Sequence, residues 1–264
     1  MENTSETTHI INPYVSVDCV LFGYDGENLN VLLVKQTGTA QDLAPHSHEE
    51  STETNPEDSD KESTMKLPGS LIYNDEDLDQ AAQRVLLELT GLHNIPMHQF
   101  HSFGSKDRTN NPRDTKWLQR FHQLNSHIER IVTIGYFTVL KMSPRIRTLS
   151  HRYEACWVPL NSVGNLAFDH NRIIKHAMEY LYTYIESNPD TLFGLLPRKF
   201  TAKELRHLFE IFYRKEYDVR NFHKKIAKMP YILPLDEMQE NVPHRAARYF
   251  RFDRVCYNQY RKLE

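Results

Sequence analysis

The stretch Leu67–Leu92, LPGSLIYNDEDLDQAAQRVLLELTGL, decides how this chain is read. Leu78 to Leu89 has helical periodicity, with Leu78, Ala82, Val85, Leu86 and Leu89 on one apolar face. Before it lies a short acidic segment containing Asp75, Glu76 and Asp77. Carboxylates ahead of such a helix could serve a metal. Val85 and Leu89, four residues apart, instead widen the apolar face.

The stretch resembles the Nudix box, G-x5-E-x7-R-E-U-x-E-E-x-G-U, where U is a bulky aliphatic residue. Gly69, Glu76, Arg84, Leu86, Glu88, Gly91 and Leu92 fall on that pattern, with one extra residue between Gly69 and Glu76. Val85 and Leu89 stand where the family keeps carboxylates, and an aliphatic side chain cannot ligate a divalent metal. The resemblance implies the scaffold of a diphosphate hydrolase without most of its chemistry. No catalytic residue, metal or cofactor is therefore expected, and the chain reads as a sensor rather than an enzyme. A divergent hydrolase that takes metal on Asp75, Glu76, Asp77 and Glu88 is the competing reading.

Working outward, Val15–Phe22 and Asn30–Val34 read as strands of a hairpin closed by Asp25-Gly26-Glu27-Asn28. The tract from about residue 37 to 64 is acidic and poor in apolar residues, and is expected to be a disordered insertion. Its His46 and His48 are not expected to hold metal, because a mobile loop does not preorganise a site. A second insertion is expected over Asp114–Glu129. Strands follow at Arg130–Leu140 and Tyr153–Val158. A helix then opens at Leu166–Ile174, with Asp169 as N-cap and Ile174, Ala177, Leu181 and Tyr184 inward, and ends near Ser187-Asn188-Pro189.

No apolar run reaches the roughly 20 residues a membrane helix needs, and the N-terminus lacks the apolar core of a signal peptide. The three cysteines form no pair motif. A cytoplasmic location is expected. The net charge of −3 conceals an asymmetry: residues 190–264 hold 16 Lys+Arg against 10 Asp+Glu, leaving 16 against 25 in the preceding 189. A basic tail on an acidic body suggests contact with a polyanion.

In that tail Thr201 and Glu204 form a capping box, and Leu205, Leu208, Phe209 and Phe212 form the buried stripe of the helix it starts. A second helix begins after Asp218, its expected N-cap. Val219, Phe222, Ile226 and Met229 are expected to face inward, and Arg220, Asn221, His223, Lys224, Lys225 and Lys228 outward. An apolar back with a basic front is what a recognition helix in a major groove requires. Tyr231–Leu233 and Arg248–Phe252 read as strands joined by residues 234–247, which carry His244 and Arg245. Helix, helix and basic hairpin in this order form the winged-helix pattern.

Taken together, LAFDHNRII (Leu166–Ile174), LLP-x-x-FT-x-x-EL (Leu195–Leu205) and RNF-x-KK (Arg220–Lys225) make the chain resemble the Nudix-related transcriptional regulators, the NrtR-like family. NPR (Asn111–Arg113) followed by RIVTIGYFTVL adds to the match. The resemblance implies an α/β (α+β) architecture: a Nudix-type α/β/α sandwich with a mixed sheet over residues 1–189, then a winged helix-turn-helix domain over residues 190–264. It implies a homodimeric bacterial regulator that binds double-stranded operator DNA and a small effector, either ADP-ribose-like or a sugar such as arabinose. Arg220 and Asn221 are the expected base readers. Thr201, Lys203, His223, Lys224, Lys225 and Lys228 would support them, with His244, Arg245 and Arg248 from the wing. Arg84, Glu88, Arg113 and Arg130 are the expected effector contacts. A winged helix that binds protein or RNA is the remaining alternative for the tail.

Overall fold

The computed structural model describes residues 9–36, 65–108, 130–142, 153–243 and 245–263. Both expected insertions lie outside the described residues, as do His46, His48, Arg113 and His244.

The hairpin forms as its pattern predicts. Strand β1 (Ile11–Tyr24) turns into β2 (Leu29–Gln36). Asp25 Oδ1 accepts the backbone N–H of Glu27 and of Asn28, at 2.8 and 2.7 Å. Gly26 takes φ +109°, a conformation open to glycine and strained for other residues. Strands β3 (Met65–Lys66), β4 (Gly69–Tyr73), β5 (His98–Phe103), β6 (Val132–Lys141) and β7 (Tyr153–Pro159) complete the sheet. The order is β3-β2-β1-β6-β5, with β4 pairing to β1 and β7 to β2.

Val17 to Phe22 are all buried, so both faces of β1 are covered. Alternation along the strand sends neighbours to opposite sides. Cys19 Sγ lies 3.9 Å from Ala82 O on helix α1 (Leu78–Thr90), while Asp18 faces His170, the first residue of helix α2 (His170–Ser187). Helix α1 ends as Gly91 adopts φ +70° and returns its N–H to Leu87 O. Within α2, Ile173, Ile174, Ala177, Leu181 and Ile185 are buried, close to the expected stripe.

The second half contains α3 (Asp190–Leu195), β8 (Phe200–Thr201), α4 (Ala202–Tyr213), α5 (Val219–Ala227), β9 (Ile232–Met238), β10 (Arg248–Phe252) and α6 (Arg254–Arg261). The three strands form a small sheet in the order β8-β10-β9. The first wing strand is expected over Tyr231–Leu233. The strand instead runs on to Met238, with Pro234 opposite Phe250. It is an edge strand, where the missing N–H of proline breaks no ladder bond. Phe193 stacks on Phe252 at 4.2 Å, and Phe209 meets Phe222 edge-on at 5.7 Å, which locks α3, α4, α5 and the wing around one aromatic core.

The chain divides into two compact units. One comprises Met1–Phe22, Val31–Thr138 and Ser143–Met178; the other comprises Gly23–Asn30, Val139–Met142 and Glu179–Glu264. Among the described residues no helix is long and apolar enough to cross a membrane.

Candidate functional site

In the helix that decided the reading, Val85 is fully buried and Leu89 nearly so. The remaining carboxylates of the box converge on one arginine. Arg84 Nη2 and Nε bond Glu76 Oε1 and Oε2 at 2.6 and 2.8 Å, and Nη1 bonds Glu88 Oε2 at 3.2 Å. Arg84 Nη2 also donates to Leu71 O, and its guanidinium lies 4.0 Å from the Tyr73 ring centroid. Burial alone would raise the Glu76 pKa; the Arg84 hydrogen bond and the Tyr73 N–H outweigh it and hold the carboxyl below its ordinary value. Glu76 is thus an ionised partner of Arg84. A Nudix hydrolase would need these carboxylates for a divalent cation. Here the donor set does not fit one, because Glu76 and Glu88 are held by a cation and two ligand positions are aliphatic. Among the described residues no cluster of three or more His, Cys, Asp or Glu is arranged to hold a metal.

Of the four expected effector contacts, Arg84 and Glu88 are therefore joined to each other. Arg130 is exposed just before β6, and Arg113 lies outside the described residues.

A second cluster was not anticipated from sequence. Asp18, Lys66, Arg108 and His170 are each almost fully buried and come together beside the start of α2. Arg108 Nη2 bonds Asp169 Oδ1 at 2.7 Å and lies 4.0 Å from Asp18 Oδ2, while Nη1 donates to Phe103 O at 3.0 Å. The Leu67 N–H donates to His170 Nδ1 at 2.9 Å, which leaves the ring hydrogen on Nε2, facing Asp18 Oδ2 at 3.6 Å. Lys66 Nζ donates to Gly69 O. Asp169 occupies the expected N-cap position, yet its Oδ1 is engaged by Arg108. Two buried atoms of that ion pair, Arg108 Nε and Asp169 Oδ2, have no hydrogen-bond partner among the described residues.

Charge and burial oppose each other here. Burial would raise the Asp18 pKa, but His170, then Arg108 and Lys66, pull it below its ordinary value. Burial dominates at Lys66 and lowers its pKa to about 8, against the attraction of Asp18. The unfolded chain therefore holds a proton on Lys66 between about pH 8 and 10.5 that the native chain has released, so stability rises with pH across that window. Urea titrations at pH 8, 9 and 10 should show the wild type gaining stability relative to Lys66→Met; parallel curves would refute the shift. Gly69 is required beside this cluster: a Cβ there would lie 1.8 Å from Asp18 Oδ1 and 2.8 Å from Val17 O. Gly69→Ala should cost about 1–3 kcal/mol by overpacking, read as a lower urea midpoint.

The sequence signals for this cluster were present but ambiguous. Asp18 interrupts an apolar strand and Lys66 precedes Leu67-Pro68-Gly69, while Asp169-His170 sits in a motif noted for its resemblance alone. Nothing local states that these charges meet.

The C-terminal half supplies a basic surface. Thr201 caps α4 as expected: its Oγ1 accepts Glu204 N–H at 3.2 Å, and Glu204 Oε2 accepts Thr201 N–H at 2.7 Å. The hydroxyl is buried and donates to Glu204 Oε2, so Thr201 is a cap and not an exposed phosphate contact as expected. Arg206 bonds Glu210 and Tyr217 O, which ties the turn between α4 and α5. Asp218 caps α5 through Asn221 N–H at 2.9 Å. Lys203, Arg206, His223, Arg245 and Arg248 line one groove of about 590 Å³ beside Val219 and Phe222. Arg220, Asn221, Lys224 and Lys228 are exposed on α5.

Two expectations for α5 are corrected. Lys225 turns inward, its ammonium 4.8, 5.3 and 5.8 Å from the ring centroids of Tyr217, Phe209 and Tyr213. It lies three residues after Phe222 and so shares the buried face, where the π faces of the rings accept a cation. Val219 is 55% exposed instead of inward, because among the described residues no neighbouring element covers it in the first turn of α5.

Comparison with known proteins accords with both halves. Residues 12–181 match the family model of the NUDIX domain, and residues 192–252 that of the NrtR DNA-binding winged helix domain. The chain is 24% identical over 245 residues to the ADPR responsive transcriptional repressor NtrR of Acinetobacter baylyi, covering 91% of this chain and 82% of that protein. It shares its fold with Shewanella oneidensis NrtR complexed with a 27mer DNA, at a TM-score of 0.57 and 21% identity over 92% of this chain and 95% of that one. A MutT/nudix family protein from Enterococcus faecalis is similar in fold, with a TM-score of 0.57 and 23% identity over 94% and 90% of the two chains.

Proposed function

Because the chain belongs to the NUDIX domain family and continues into an NrtR-type winged helix domain, we propose that it is an effector-responsive transcriptional repressor. The observation that carries this reading is the fate of the box: Val85 and Leu89 are core residues, and Glu76 and Glu88 are closed onto Arg84. Carboxylates so engaged favour a sensing role over hydrolysis. The effector half extends to about residue 189 and the DNA-binding half follows.

The DNA-binding half uses the basic groove and the exposed face of α5. Arg220 and Asn221 read bases from the first turn of α5, where a recognition helix enters deepest. Lys203, His223, Arg245 and Arg248 hold phosphates, joined by Lys224 and Lys228. A dimer would place two such helices on the half-sites of an operator. An ADP-ribose-type effector is favoured over a sugar by the similarity to the ADPR responsive repressor of Acinetobacter baylyi. The effector acts by binding one dimer geometry better than the other, which shifts the population between DNA-competent and released states.

The test is anisotropy of labelled duplexes from the DNA flanking the protein's own gene, with and without ADP-ribose. Sequence-selective binding that ADP-ribose weakens at least tenfold is the expected result. Steady release of AMP from ADP-ribose with Mg²⁺ or Mn²⁺, lost in Glu88→Gln, would instead establish a hydrolase.

A further inference from the structure

The correction at Val219 bears on sequence recognition. Val219 is the first residue of α5 and 55% exposed, whereas the apolar residues that follow it on the helix, Phe222 and Ile226, are buried. Its outward neighbours Arg220, Asn221, His223 and Lys224 are polar or charged. It lines the same groove as Lys203, Arg245 and Arg248, so the apolar surface is framed by cations. An isolated exposed valine on a plain surface would need no account. One in the first turn of a helix beside a basic groove faces what that groove receives.

We propose that Val219 is a specificity-determining residue that reads the 5-methyl group of a thymine in the major groove. This rests on the DNA-binding reading above and adds to it a stated chemical partner. Among the base edges that a major groove presents, the thymine methyl is the one apolar group, and an aliphatic side chain is its usual complement. Arg220 and Asn221 offer hydrogen bonds suited to guanine and adenine. Val219 offers none, and so would distinguish thymine from cytosine by contact and desolvation alone. The cations around it fix the register that brings one thymine against it.

The experiment uses the full chain and a randomised 25-base-pair duplex pool. Duplexes enriched by the wild type are sequenced, and the consensus is resynthesised with deoxyuridine replacing each thymine in turn, which removes the methyl and keeps the pairing. Wild type should lose about fourfold in affinity at one thymine of each half-site, the factor that burial of one methyl-sized group supplies. Val219→Ala, whose shorter side chain recedes from the methyl, should discriminate thymine from uracil at that position clearly less than the wild type and still respond to other substitutions. Alanine is a better helix former than valine and the site is exposed, so α5 remains intact, which far-UV circular dichroism would verify. A wild type indifferent to uracil at every thymine overturns the proposal, as does a Val219→Ala protein that keeps the discrimination. A pool from which no sequence is enriched overturns the DNA-binding reading itself, a result distinct from either.

Discussion

Replacing Arg108 with alanine should lower the stability of the protein by about 3–5 kcal/mol, the cost of removing one partner from a buried charge cluster. Asp18 and Asp169 would lose their shared cation while remaining beneath the same packing, with Asp18 left to Lys66 and His170. Phe103 O would lose a donor as well. For a chain of this size each kcal/mol moves the midpoint by about 2–4 °C, so a fall on the order of 10 °C is expected in a thermal melt. The pH dependence identifies the cause. The Asp18 pKa is depressed in the folded state, so the carboxylate contributes stability that is present above its unfolded pKa and is lost as pH falls through the folded one. The gap between wild type and Arg108→Ala should therefore narrow below about pH 4. Midpoints within 1 °C of each other at pH 7 would show that the cluster is not held as an ion network.

The triple variant Lys203→Ala, Arg245→Ala, Arg248→Ala should retain the fold and lose most of its DNA affinity. All three are exposed around one groove. Each phosphate neutralised releases counterions and contributes about 0.9 to the slope of log K against log salt, so the slope should flatten by about 2.7 for each protomer on the DNA. At 0.15 M salt the corresponding loss of affinity is about 10²-fold for each protomer on the DNA, on cognate and random duplex alike. The uniform loss separates these phosphate contacts from Arg220 and Asn221, whose removal should relax sequence preference as well. An unchanged salt slope would place the DNA elsewhere on the chain.

Much of this was legible in one dimension because it depends on local pattern. The capping box at Thr201 and Glu204, the cap at Asp218 and the hairpin turn at Asp25–Asn28 are interactions between residues two or three apart. The helical stripe through Val85 and Leu89 is periodic, so their burial follows from spacing. Position within an element was less legible. Val219 and Lys225 are separated by one side of a helix, and periodicity alone put the valine inside and the lysine outside. The aromatic rings of Phe209, Tyr213 and Tyr217, brought from α4 and the turn after it, reversed the lysine. The valine was reversed because among the described residues nothing packs over it in the first turn of α5.

From the order of residues alone came the resemblance to the NUDIX scaffold, the aliphatic residues at two of its carboxylate positions, and the capped helices of the tail, since each is written in a short run of sequence. Only the tertiary structure decided that Asp18, Lys66, Arg108, Asp169 and His170 form one buried cluster. They come from two strands, a loop and a helix start up to 152 positions apart in the sequence. Burial multiplies electrostatic interactions that water would screen, and no local rule reports which distant charges will share the same dry interior.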